Sequence, residues 1–137
     1  MEQIDLRVTA EDYQEFVRFG KKCQADFGLN EWNIVYTFEE IEDRKIATIE
    51  YDITTMSAKV TLNEKTQKRL VENNPNKFIR QKAFHEIYHL VIAKLGLYID
   101  TETDDGIPES FVDCEKHTII NRMIKAFNKM GYFEDDN

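Results

Sequence analysis

Apolar residues change their spacing midway along this chain. After a short extended start at Ile4, Leu6 and Val8, the residues Tyr13, Phe16, Val17, Gly20 and Phe27 recur at helical intervals. Thr9 followed by Asp12 reads as a capping box, with Asp in the place of the usual Glu or Gln. Gly28 stands where a C′ glycine ends a helix. The period then shortens to two. "WNIVYTF" at 32–38, "IATIEYDI" at 46–53 and "SAKVTL" at 57–62 alternate and are rich in β-formers. The short gap around "TTMS" between the last two predicts an antiparallel hairpin.

The helical period then returns. Residues 63–72 suit a short polar helix. Asn74 as N-cap and Pro75 at N1 open a long helix predicted to run to Gly96. Its apolar face groups Phe84, Tyr88, Val91 and Leu95. The segment 97–107, "LYIDTETDDGI", is acidic and turn-rich. Pro108 opens a last helix to about Lys129, with Val112, Ile119, Ile120, Met123 and Phe127 on one side, and the tail from about 132 is expected to be loose. The order is helix, three strands, helix, helix. This predicts one α+β domain over 1–137, with helices on one face of a small, mainly antiparallel sheet of about three strands.

Length and composition narrow the function classes. A chain of 137 residues, 42% apolar and 12% aromatic, is sized for a single core. Its net charge of −8 argues against a nucleic-acid or anionic-membrane partner, and no apolar run is long enough for a membrane helix. "MEQIDLRVTAED" has no secretory-signal character, and two distant cysteines, Cys23 and Cys114, make no disulfide framework. The expectation is a cytoplasmic protein with two reduced, partly buried thiols.

The candidate chemistry lies in "AFHEIYHLVIAKLG", residues 83–96, where His85, Glu86 and His89 spell H-E-x-x-H. Residues four apart share a helix face, so both imidazoles can point at one ion. Glu86, rotated about 100° from His85, can reach a water beside that ion. Two neutral imidazoles for Zn2+ and a glutamate as general base is the physical content of this motif. The histidine stripe falls a quarter-turn or more from the centre of the apolar face, at the border of the core.

A catalytic zinc wants a third protein ligand. The last helix offers Glu109, Asp113, Glu115 and His117. Glu109, with Asp113 four residues on, resembles the glutamate-zincin pattern of a metal-binding Glu and an orienting Asp. Helix geometry favours Glu115 instead, because an antiparallel partner starting at Pro108 reaches the level of His89 about seven residues in. Glu109 would stand about 10 Å too high. The metal set expected is therefore His85, His89 and Glu115, with Glu109, His117 and Asp113 as alternatives; a residue outside the set could orient an imidazole or steady an oxyanion.

The segments "FHEIYHLV", "WNIVYTF", "SAKVTLN" and "CEKHTIINRMI" together resemble the small single-domain zincin-like metallopeptidases of phages and prophages, related in outline to the ImmA/IrrE-like and SprT-like proteases. The resemblance implies a minimal zincin: a twisted sheet, an active-site helix beneath it and a closing helix carrying the acidic ligand. Relatives often place two adjacent acids just before the histidine of the last helix, whereas this chain reads Glu115-Lys116.

The expected function is a zinc metallopeptidase acting on a peptide or protein, with Glu86 as base and substrate lying along a sheet edge. The alternative is a non-catalytic zincin scaffold with a structural zinc, its acidic runs "FEEIED" and "DTETDD" docking a basic partner. A Cys114–His117 protease lacks an orienting third group, and Cys114 reads as a small buried side chain.

Overall fold

The structure, a computed structural model, describes residues 7–42, 45–68, 74–93 and 109–134, with side chains of the last segment from 114 onward. Ile4, Leu6, the 97–107 segment, Pro108 and the side chains of Glu109 and Asp113 lie outside the described residues.

Helix α1 spans Ala10–Asp26 and begins as its sequence requires. The Thr9 backbone N–H donates to Asp12 Oδ2 at 2.9 Å, and the Asp12 N–H donates to Thr9 Oγ1 at 3.2 Å. The helix closes at Phe27, and Gly28 adopts a φ of +71° that favours glycine. Its buried face is Asp12, Phe16, Phe19, Gly20 and Cys23.

Three strands follow: β1 (Asn33–Glu39), β2 (Ala47–Asp52) and β3 (Ser57–Asn63). β2 and β3 form the predicted antiparallel hairpin, running from Ala47 opposite Leu62 to Asp52 opposite Ser57. β1, however, pairs with β3 in parallel, from Asn33 beside Ser57 to Glu39 beside Asn63. The sheet is therefore mixed, in the order β1-β3-β2, and not mainly antiparallel. Alternation reveals which residues face the core but carries no information on the direction of the neighbouring strand. Ala58, Val60 and Leu62 of the central strand point into the core, where Tyr13 stacks on Phe38 and Phe16 meets Tyr36 edge-on.

The segment expected as a polar helix from 63 is otherwise. Glu64 and Lys65 form a turn, and Gln67 bridges Arg7 while the Val8 N–H donates to Thr66 O at 2.9 Å. Pairing with the chain before α1 takes the backbone groups a helix would need; residues 69–73 lie outside the described set.

Helix α2 spans Pro75–Val91, with Asn74 Oδ1 accepting from the Asn76 N–H at 3.0 Å and Pro75 in its first turn. It caps at Ile92, short of the Gly96 expected. Its buried side runs through Phe78, Ile79, Ala83, Phe84, Ile87 and Leu90, whereas Val91 is exposed, so the apolar face is rotated from the one expected. Helix α3 spans Glu109–Lys129 and packs on α2, with Phe127 and Phe84 rings 5.1 Å apart.

The chain after α3 is not loose through Glu134. Phe133 is fully buried against Phe19 and Phe84. Arg80 Nη1 donates to the Phe133 carbonyl at 2.8 Å, buried Lys77 pairs with Glu134, and the Tyr132 hydroxyl donates to Asp26 at 2.8 Å. These contacts explain two cations on the buried side of α2. Residues 135–137 lie outside the described set. No helix among the described residues is long and apolar enough to cross a membrane.

Candidate metal centre

His85 and His89 stand one turn apart on α2, their ring centroids separated by 5.2 Å. His117, from α3, completes a near-equilateral triangle, 5.3 Å from His85 and 5.1 Å from His89. One ligand nitrogen of each ring lies within 4.8 Å of the other two, close enough for the three to hold one metal ion. α2 supplies two corners through helical periodicity alone; the third depends on how α3 packs across it.

The donor set suits a cation. His85 is half-buried, and burial, with the neighbouring His89 and His117, pushes its pKa down to about 3. It is therefore neutral at physiological pH, the form that binds metal. Glu86 is 7% exposed, and burial raises its carboxyl to about 7, with Lys82 pulling the other way. A cation among the histidines would favour the ionised carboxylate.

These groups open on a cleft of about 530 Å3. Its far side is β2 from Ala47 to Glu50, together with Ile41, Glu42 and Lys45 of the connection before it. β2 is an outer strand of the sheet. An ion at the triad is thus reachable from solvent beside an extended backbone.

Of the expected metal set, His85 and His89 are brought together and Glu115 is not. Glu115 is exposed and outside the cluster. Two residues along a helix turn the side chain through about 200°, so with His117 facing α2 its neighbour faces away. The third corner falls two residues beyond Glu115, at His117. Cys114 is also exposed, not buried, whereas Cys23 is buried and its thiol is pushed up to about 12, chiefly by burial. Ile41 and Glu42 of the cleft wall belong to the acidic run "FEEIED", expected as a docking patch and not as part of the site; with Lys45 they sit just before the strand that becomes the outer one.

Comparison of the chain with protein families, characterised proteins and solved structures finds no significant match in any of the three.

Proposed function

We propose that this chain is a zinc-dependent peptidase of the zincin type, with His85, His89 and His117 as metal ligands and Glu86 as general base. One observation carries the reading: three imidazoles from two helices converge beside a buried carboxylate at the floor of an open cleft. Three imidazole nitrogens suit zinc, and a set of three protein ligands leaves a coordination position free. Bound there, zinc supplies a Lewis acid that polarises a carbonyl and makes a water acidic near neutrality.

The remaining work falls to the chain. Glu86, adjacent in sequence to one ligand and facing the same cleft, accepts the proton of the attacking water and returns it to the leaving amine nitrogen. β2 offers main-chain groups to an extended peptide, which would add as a further strand and bring its carbonyl over the triad. Among the described residues the cluster comprises three ligands, one fewer than a closed structural site takes.

The test is Glu86→Gln. It retains about one zinc per chain and lowers cleavage of a labelled unfolded protein such as casein by about 10²–10⁴-fold. A variant that cleaves like the wild type removes Glu86 from the reaction; a wild type that holds zinc without cleaving any peptide favours the partner-binding scaffold.

A further inference from the structure

Asn63, the last residue of β3, is 1% exposed and lies outside the cleft lining. Its side chain nevertheless organises the cleft wall. Nδ2 donates to the Glu42 carbonyl at 3.2 Å and to the Lys45 carbonyl at 2.8 Å. Oδ1 accepts from the Ile41 N–H at 3.3 Å and from the Lys65 N–H at 3.1 Å. Its backbone N–H donates to the Ile46 carbonyl at 3.0 Å. A buried primary amide is the one short side chain that supplies two donors and an acceptor here, and each backbone group it serves would otherwise lack that bond.

Of the residues so held, Ile41, Glu42 and Lys45 face the triad across the cleft. Ile41 is half-buried and stands with Ala47 and Ile49 as the apolar part of a wall whose charged members are Glu42, Lys45 and Glu50. We propose that Asn63 is a positioning residue that sets Ile41 against Ala47 and Ile49 as a subsite for an aliphatic side chain next to the scissile bond. The proposal rests on the peptidase reading and adds a substrate class to it: peptides with an aliphatic residue at that position.

The experiment compares two probes on the zinc-loaded full chain by calorimetry. Acetohydroxamate reaches the ion alone; N-acetyl-leucine hydroxamate adds one aliphatic side chain. Wild type binds the leucine probe at least tenfold more tightly. Asn63→Asp keeps the acceptor and removes both donors; it abolishes most of that preference while zinc content and acetohydroxamate affinity stay within twofold. Ile41→Ser, which leaves the Asn63 bonds in place, produces the same selective loss. Equal wild-type affinities for the two probes overturn the proposal, as does a preference retained by Ile41→Ser, however Asn63→Asp folds. A parallel fall of both probes in Asn63→Asp assigns Asn63 to the fold and not to the subsite. A wild type that takes up no zinc defeats the peptidase reading itself, and so is told apart from these results.

Discussion

The ring of His117 lies 5.3 Å from that of His85 and is inclined to it by 27°, although 32 positions separate them in the chain (117 − 85). The site is therefore a joint product of α2 and α3, and its integrity reports their packing. His117→Ala is expected to reduce zinc retained after dialysis from about one per chain to well under half, with His85→Ala and His89→Ala behaving alike. Glu115→Ala retains the wild-type zinc content, because its exposed carboxylate lies outside the cluster. Elemental analysis of the four variants in parallel checks this, and zinc loss in Glu115→Ala would contradict the histidine set.

Metal-free protein carries a particular pH signature. Folded His85 stays neutral down to about 3, while an unfolded histidine takes its proton near 6.5, so stability falls as pH drops through that window. Glu86 acts in the opposite sense. Protonated in the fold up to about 7 but ionising near 4.5 when unfolded, it contributes stability below 4.5 that is lost as pH rises through 7. The two trends oppose each other between about 4.5 and 6.5. Urea midpoints of the chelated protein against pH check this, with Glu86→Gln expected to lack the fall on the alkaline side.

Phe133→Ala removes a fully buried ring held between Phe19 and Phe84. The expected cost is about 3–5 kcal/mol, read from chemical denaturation. A loss below about 1 kcal/mol would mean that the turn after α3 is not docked as described.

Gly20 faces Tyr36, and a Cβ there would lie 2.7 Å from the tyrosine oxygen. Gly20→Ala raises helix propensity yet crowds a half-buried ring, so a net destabilisation of about 1–3 kcal/mol is expected. A denaturation midpoint at or above the wild type would show that Tyr36 can move aside.

What the sequence disclosed follows the range of the interaction. The Thr9–Asp12 cap, the Asn74-Pro75 opening, the β2–β3 hairpin and the His85–His89 pair are each set within a few residues, and each is present. Glu115 and His117 are told apart only by the register of two helices distant in sequence, where a shift of two residues reverses the facing side. The partner of β1 was equally hidden, since alternating residues fit a parallel or an antiparallel neighbour alike. Lys77 and Arg80 carry the sequence signal of the docked tail: cations on the inner side of a helix need an acceptor, and Phe133 and Glu134 provide it.

The parallel bond between β1 and β3 also orders events in time. β1 is made first, yet its hydrogen-bonding partner begins 24 positions later, at Ser57 (57 − 33). The hairpin pairs residues close in sequence, whereas β1 has no strand partner until β3 has been made. A nascent chain halted before Ser57 lacks β3 and so holds β1 without its strand partner, its backbone groups open to pairing with another chain.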